Sequence, residues 1–289
     1  MLTIHYLIIN FLSYILPVKL ACFITKWVVV IAYYIVYGEA RKNVTENLIQ
    51  VFGNSLPKWE KDKMVRETFL NFGLFIYEFL IIKRINKKNF KQFINPVGFE
   101  NVEKALENGK GVIFLTGHLG NYEWGAAVLH YLGYNPIVIA KRYKNRFITN
   151  YYFNRRKGQG MDVVYLDQAV KESLRRLKKN GLVAIVGDRD YTDQGLDVLF
   201  FGKKTRFPTG ALLLAIRTGA TVIPTFALRS GMCKYDVVFN KPILLESKGY
   251  KQEDIEKDLM KWIKVLEDYI RKYPSEWYTF QPIWKTEKE

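Results

Sequence analysis

The spacing of hydrophobic and polar residues divides the chain into two regions that meet near Pro96. The first region carries long apolar segments with a helical repeat, whereas short apolar runs of strand length alternate with helical segments in the second. Strands separated by helices of about ten to fifteen residues are typical of an α/β fold with a largely parallel central sheet flanked by helices. We therefore predict a helical region at residues 1–95 and an α/β domain at residues 96–289.

The first region begins with a predominantly apolar segment. Lys19 and Lys26 are the only charged residues between His5 and Glu39, and Pro17 divides the segment. No uncharged stretch reaches the roughly 18 residues of an unambiguous transmembrane helix, so the alternatives are a buried helical pair and a membrane anchor. We favour a helical anchor that spans the membrane or lies in it, with the two lysines reaching the headgroups.

Charge placement predicts an orientation for this anchor. The basic pair Arg41–Lys42 follows the apolar segment, and no Lys or Arg precedes that segment. By the positive-inside rule, the remaining chain faces the cytoplasm and the protein belongs to the cytoplasmic (inner) membrane. Two helices are predicted next, at residues 41–52 and 57–82, and the apolar stripe of the second is typical of core packing.

Six strands and five helices are predicted in the second region. The strands lie at 111–116, 136–140, 162–166, 182–186, 220–227 and 235–239, and the helices at 101–107, 121–132, 168–179, 209–218 and 253–272. Gly117 and His118 follow the first strand, and Asp188 follows the strand at 182–186. Because open α/β sheets bind ligands at the carboxyl ends of their strands, we expect these side chains on one edge of the sheet.

His118 is the leading candidate for a catalytic residue. It follows a buried strand in a glycine-rich turn, and Asn121 is the expected N-cap of the next helix. Glu123, in the first turn of that helix, is expected to reach back to the imidazole, and such a pair can take a proton from a hydroxyl. The alternative is a chance pairing. His5, in the apolar segment, and His130, in the middle of a helix, are weaker candidates.

Composition limits the partners. A formal charge of +16 over 289 residues implies an anionic partner, which can be membrane lipid, a phosphorylated substrate, an acidic protein or nucleic acid. Cys22 and Cys233 are far apart and form no metal-binding pattern, so we predict a reducing compartment, no disulfide framework, no metal and no cofactor.

Two basic segments are candidate binding surfaces. Residues 139–157 contain seven basic residues, interleaved aromatic residues and no acidic residue. Single-stranded nucleic acid, phosphorylated headgroups and a plain solvated face are the alternatives. No nucleic-acid-binding motif is present, so we favour anionic lipid and expect no nucleic acid. Residues 203–210 lead into a helix N-terminus that favours phosphate, and ordinary capping by Thr209 is the alternative.

The signatures of other enzyme classes are absent. The sequence contains no G-x-S-x-G elbow, P-loop, dinucleotide-binding fingerprint, HExxH motif or kinase signature. Without a marked serine or cysteine nucleophile, direct removal of a proton from an acceptor hydroxyl is favoured over an acyl-enzyme.

Several motifs, in one order, resemble those of a known family. His118 to Glu123 match the H-x4-D/E motif of the lysophospholipid acyltransferase superfamily, and residues 107–123 resemble more closely the core motif of the bacterial lipid A biosynthesis (lauroyl/myristoyl) acyltransferase family. Arg142 and Asn145 match its R-x-x-N segment, and residues 188–191 match its D-Q-D-Y motif with Arg189 in place of Gln. Residues 41–52 and 274–285 resemble its opening and its C-terminal signature.

The resemblance implies an O-acyltransferase. The donor would be the thioester of an acyl carrier protein, or acyl-CoA, and the acceptor a hydroxyl of a membrane glycolipid. A lipid A precursor of lipopolysaccharide biosynthesis is the favoured acceptor, and a phosphatidylinositol mannoside is the alternative. A non-catalytic, membrane-associated basic-aromatic binding protein is the alternative from another class.

The resemblance also assigns roles to residues. His118 would be the general base, Glu123 would fix its tautomer, and Asp188 would take the second acidic position. Arg156 is the preferred catalytic arginine, with Arg155 left open. Backbone N–H groups of residues 117–121, or Arg156, would stabilise the oxyanion. The predicted substrate-binding residues are Gly117, Gly120, Asn121, Arg142, Asn145, Arg189, Asp190, Lys203 and Arg206.

Overall fold

The computed structural model describes residues 15–53, 55–247 and 249–284. Within that range the chain forms two compact units: residues up to Arg84 together with those from Tyr269 onward, and residues Ile85–Asp268. The sequence placed the boundary at residue 95 and left the C-terminal segment in the α/β domain, so the structural division differs at both places. His5 and Lys285 lie outside the described residues.

The first unit is helical. Its helices are α1 (Val18–Ile35), α2 (Gly38–Phe52) and α3 (Lys58–Ile81). A core of Val44, Leu48, Val65 and Phe69 joins α2 to α3. Gly73 allows α1 and α3 to approach closely, because a Cβ there would lie 2.3 Å from Cγ2 of Val29.

The C-terminal segment is attached to α2 and α3 by polar and aromatic contacts. The Asn47 side chain donates to the carbonyls of Thr279 (3.2 Å) and Gln281 (2.9 Å). Phe280 packs edge-on against Phe69, with ring centroids 5.0 Å apart. These contacts explain why the last residues belong to the helical unit although they are distant in sequence.

Helix α1 keeps its apolar side chains exposed. Trp27 is 56% exposed and Ile35 is 77% exposed. Among the described residues, α1 is the one helix long and apolar enough to cross a membrane, and 11% of it is buried. The exposed apolar side chains of α1 fit contact with lipid.

The second unit is an α/β fold around a seven-stranded sheet, as predicted. Its strands are β1 (Ile94–Val97), β2 (Val112–Thr116), β3 (Ile137–Ala140), β4 (Asp162–Tyr165), β5 (Leu182–Val186), β8 (Thr221–Gly231) and β9 (Lys234–Phe239), in the order β1-β9-β8-β2-β5-β3-β4. The β8–β9 pair is antiparallel and the other neighbouring pairs are parallel. Strands β6 (Leu196–Phe200) and β7 (Lys203–Phe207) form a separate hairpin.

Helices lie between these strands, and one helix follows the last strand. They are α4 (Glu100–Glu107), α5 (Tyr122–Tyr131), α6 (Arg146–Lys157), α7 (Ala169–Leu177), α8 (Gly210–Thr218) and α9 (Gln252–Lys272). Short 3₁₀ segments lie at Ile82–Arg84, Phe90–Gln92, Leu166–Gln168 and Pro274–Glu276. Each predicted strand and helix of this region is present, and β5 has the predicted bounds. Strand β1, the β6–β7 hairpin and α6 were not predicted.

Candidate active site

Two central strands place the site. β2 and β5 are parallel neighbours, with Thr116 opposite Val186. A glycine follows each strand, and the backbone N–H of Gly187 donates to the carbonyl of Thr116 at 2.8 Å. His118 and Asp188 therefore leave the sheet side by side, on the edge that the sequence predicted.

Asp188 holds His118 at two points. Oδ1 of Asp188 lies 2.6 Å from Nδ1 of the imidazole, and Oδ2 accepts the backbone N–H of His118 at 2.9 Å. The Asp188 side chain is 4% exposed and that of His118 is 18% exposed. The imidazole is thus held by a buried carboxylate, and part of its own surface is exposed.

The electrostatics of this pair set the tautomer. Burial alone would raise the pKa of Asp188, but the charge of His118 and its hydrogen bonds outweigh burial and hold the pKa at about 2. An ionised carboxylate only accepts hydrogen bonds, so Nδ1 carries the hydrogen that it donates to Asp188. In the neutral imidazole the lone pair is then on Nε2, which can accept a proton.

Glu123 does not contact His118, and the expectation that it holds the imidazole is wrong. Both of its oxygens face Arg156, whose Nε lies 3.0 Å from Oε2 and whose Nη2 lies 2.6 Å from Oε1. The Glu123 side chain is 5% exposed and that of Arg156 is 14% exposed. Glu123 lies in the first turn of α5, and this helix does not continue in the direction of β2. The Glu123 side chain therefore points toward α6.

The same contact separates the two candidate arginines. Arg156 faces Glu123, and although burial lowers the pKa of its guanidinium, the charge of Glu123 and its hydrogen bond raise that pKa above the usual value. Arg155 is buried and donates through Nη2 to the hydroxyl of Tyr151 at 2.9 Å. Arg156, the preferred candidate, is therefore the arginine that pairs with Glu123, and its catalytic role stays a prediction.

The turn between β2 and α5 is built as its sequence predicts. Gly120 has a φ of +66°, which glycine adopts without strain. The Asn121 side chain accepts the backbone N–H of Trp124 at 3.1 Å and so caps α5. Gly117 leaves room for Leu266, since a Cβ there would lie 2.9 Å from Cδ1 of Leu266, whereas its distance of 3.5 Å to the Asp188 carboxyl carbon would be an ordinary contact.

Two of the backbone N–H groups expected to stabilise an oxyanion already have acceptors. The N–H of His118 donates to Asp188, and that of Asn121 donates to the carbonyl of Ala227 at 2.8 Å. The expectation of an oxyanion site within residues 117–121 is therefore wrong for these two groups.

Several predicted substrate-binding residues have structural partners. Asn145 caps α6 by accepting the N–H groups of Phe147 (2.8 Å) and Ile148 (3.3 Å). Asp190 closes the loop after β5 by accepting the N–H groups of Thr192 (2.9 Å) and Gly195 (2.7 Å). Both side chains therefore have structural roles, which do not require a bound substrate.

The predicted basic residues lie further out on exposed surfaces. Arg142 stacks 4.0 Å from the Tyr165 ring and pairs with Asp167 at 2.7 Å. Arg206, on β7, pairs with Asp197 across the hairpin at 2.9 and 3.0 Å. Lys203 is exposed at the start of the same strand.

The structure also places Arg189, His130 and Thr209. Arg189 is partly buried directly after Asp188, and its positive charge contributes to the low pKa of that carboxyl. His130 is partly buried and lies in the last turn of α5. Thr209 precedes α8 but makes no side-chain capping hydrogen bond. In the part of the chain that the structure describes, no three His, Cys, Asp or Glu side chains are grouped so as to hold a metal.

Sequence comparisons identify the family of the chain. A profile of the family described as "Bacterial lipid A biosynthesis acyltransferase" matches residues 1–286. The chain belongs to this family. It is an acyltransferase, and the alternative of a non-catalytic binding protein is set aside.

Relatives in mycobacteria carry a more specific name. The chain is 25% identical over 253 residues to the "Phosphatidylinositol mannoside acyltransferase" of Mycobacterium tuberculosis strain H37Rv, which covers 84% of this chain and 77% of the relative. It is 25% identical over 252 residues to the protein of the same name from Mycolicibacterium smegmatis, which covers 84% of this chain and 79% of that relative.

Proposed function

We propose that this acyltransferase moves a fatty acyl chain from a thioester donor to a hydroxyl of a membrane glycolipid, with His118 as the general base. The observation that carries the proposal is the 2.6 Å contact between Nδ1 of His118 and Asp188 at the carboxyl edge of the sheet. That contact leaves Nε2 as the nitrogen that can accept a proton.

The reaction follows from this arrangement. Nε2 takes the proton of the acceptor hydroxyl while the oxygen attacks the thioester carbonyl, and Asp188 stabilises the imidazolium that forms. The tetrahedral oxyanion collapses, the C–S bond breaks, and the leaving thiolate takes the proton back from the imidazolium. The products are an ester and a thiol, so no cofactor is consumed.

Glu123 and Arg156 support this chemistry without exchanging protons. An arginine remains protonated in proteins, so it cannot act as a base. Arg156 is the cation that we assign to the oxyanion, because its guanidinium is held by Glu123 through two N–H groups and has five in all.

The acceptor has two candidates. Family membership favours a lipid A precursor, whereas the names of the mycobacterial relatives favour a phosphatidylinositol mannoside. The shared feature is an anionic membrane glycolipid. We expect the exposed cations Lys141, Arg142, Lys144 and Arg146 to face the lipid phosphates or an acidic carrier protein that brings the donor, and we expect no nucleic acid.

The proposed membrane location of the enzyme is based on α1 and on the basic residues Arg41 and Lys42 that follow it. We propose that α1 anchors the enzyme in the cytoplasmic (inner) membrane and that the chain after it faces the cytoplasm. An acyl carrier protein, or acyl-CoA, is then available on the side where the site lies.

Mass spectrometry of membrane lipids tests the proposal. Lipids are compared from cells without the protein and from cells that express the wild type, His118→Ala or the matched control His130→Ala. We expect one glycolipid class to lose a single acyl chain without the protein and to regain it with the wild type and with His130→Ala only. A loss from lipid A or from a phosphatidylinositol mannoside identifies the acceptor, whereas unchanged lipid masses contradict the proposal.

A further inference from the structure

Tyr122 lies between the two charged pairs of the site. It is the first residue of α5, directly after the capping Asn121 and directly before Glu123. Its ring meets the His118 ring edge-on, with centroids 5.5 Å apart and planes inclined by 77°. Among the described residues it is thus the one aromatic side chain in ring contact with His118.

The two contacts with Asp188 leave one movement of the His118 ring unrestricted. Asp188 holds Nδ1 and the backbone N–H of His118, both on one side of the residue. The ring can still pivot about the contact between Nδ1 and Oδ1, and this movement would carry Nε2 away from the acceptor. An edge-to-face aromatic neighbour has a preferred angle, so the Tyr122 ring restricts the pivot.

The Glu123–Arg156 pair fixes the place of Tyr122. Glu123 is the next residue in the first turn of α5, and its two contacts to Arg156 join that turn to the end of α6. Burial, and then the charge of Glu123, raise the pKa of Tyr122. Tyr122 therefore remains neutral beside the imidazole.

We propose that Tyr122 is a positioning residue whose ring holds the His118 imidazole with Nε2 toward the acceptor hydroxyl, and that Glu123 affects the chemistry through Tyr122. The proposal rests on the proposed role of His118 as the base. It gives Glu123, which does not touch the imidazole, a connection to it through the neighbouring Tyr122.

Substitutions that separate the ring from the hydroxyl test this role. Tyr122→Phe keeps the ring, Tyr122→Leu removes it, and Tyr134→Leu, three residues after the end of α5, is the matched control. We expect Tyr122→Leu to lower kcat by about tenfold to a hundredfold, with KM little changed, because misplacement of a catalytic group by about 1 Å has an effect of this size. Its profile of kcat against pH should also shift, because the hydroxyl then meets a misplaced base.

The Phe variant and the control are expected to keep the activity that Tyr122→Leu loses. Tyr122→Phe should restore most of kcat, and Tyr134→Leu should behave as the wild type. The inference is contradicted if Tyr122→Leu has the kcat and pH profile of the wild type, or if Tyr122→Phe is as impaired as Tyr122→Leu. If Tyr122→Leu does not fold, Tyr122→Met, which has no ring, takes its place.

A double-mutant cycle tests the connection to Glu123. If Glu123 acts through Tyr122, Glu123→Gln should lower kcat much less in the Tyr122→Leu background than in the wild type. Equal factors in both backgrounds contradict the connection. The variant His118→Ala separates the two proposals: a normal kcat there contradicts the proposed function, whereas an inactive His118→Ala together with a normal Tyr122→Leu contradicts this inference alone.

Discussion

Two pairs at the site each join an acidic side chain to a nitrogen-containing one, yet they are built differently. They are His118 with Asp188 and Glu123 with Arg156. His118 and Asp188 stand 70 positions apart on the ends of two neighbouring strands, and Asp188 binds one ring nitrogen and one backbone N–H. Glu123 and Arg156 stand on α5 and α6, and both oxygens of Glu123 are bound by one guanidinium. The first pair leaves Nε2 to react, whereas the second occupies both carboxylate oxygens.

This difference assigns chemistry to one pair and support to the other. An imidazole gains and loses a proton near neutral pH, whereas a guanidinium does not. A bidentate arginine–carboxylate contact fixes geometry strongly. Removal of His118 or Asp188 should therefore mainly affect turnover, whereas removal of Glu123 should mainly affect stability.

The largest effect is expected for His118→Ala. Without the imidazole the acceptor hydroxyl has no base, so kcat should fall by between about a hundredfold and ten-thousandfold. Steady-state turnover with a thioester donor measures this change, and the midpoint of thermal unfolding should remain near that of the wild type. Near-normal turnover by a folded variant would remove His118 from the mechanism.

Glu123→Ala should mainly destabilise the enzyme. It leaves the largely buried guanidinium of Arg156 without its carboxylate, a change that typically lowers the free energy of unfolding by about 3 to 5 kcal/mol. Denaturant unfolding in detergent measures the loss, and a variant as stable as the wild type would show that the pair is not structural.

Asp197→Ala provides a matched control for this substitution. Asp197 makes the same two-point contact to an arginine, Arg206, but both side chains are about half exposed. Solvent screens such a pair, so the free energy of unfolding should stay close to the wild-type value. A loss equal to that of Glu123→Ala would mean that burial is not the cause.

Asp188→Asn should lower kcat by about a hundredfold. The amide is nearly the same size but neutral, so it neither stabilises the imidazolium nor fixes the tautomer with Nε2 unprotonated. Turnover is compared with that of Glu123→Gln under the same conditions. The assignment of the two pairs is reversed if Glu123→Gln is the more impaired variant and both are folded.

Acid should remove a smaller stabilising contribution from Asp188. Its folded pKa is about 2, below the usual value of about 4 in an unfolded chain. The contribution is therefore present above pH 4 and is lost as the pH falls toward 2, and it is on the order of 2 kcal/mol. The difference in unfolding free energy between the wild type and Asp188→Asn should narrow over this range, and a constant difference would contradict the shift.

The sequence predicted the strands that carry the site but not the partner of the imidazole. Short apolar runs and the capping Asn121 located β2, β5 and α5, because local patterns determine these elements. Pairing between His118 and Asp188 depends on which strands are neighbours in the sheet, which residues 70 positions apart do not reveal. The sequence spacing of Glu123 suggested a contact that the direction of α5 prevents.

The elements that were not predicted lack a clear hydrophobic pattern. β7 has the sequence Lys-Lys-Thr-Arg-Phe, which is mostly polar, and its partner strand forms only a two-stranded hairpin with it. α6 consists largely of basic, aromatic and asparagine residues, so its apolar repeat is weak. Pro96 lies within β1, an edge strand, where proline is tolerated.

The central claim is that Asp188, and not Glu123, holds the His118 imidazole, and proton NMR of ¹⁵N-histidine-labelled enzyme tests it most directly. The hydrogen that Nδ1 of His118 shares with a carboxylate gives a strongly downfield resonance, which His118→Ala identifies by its disappearance. This account predicts that the resonance persists in Glu123→Gln and is lost in Asp188→Asn. Loss in Glu123→Gln with persistence in Asp188→Asn would contradict it.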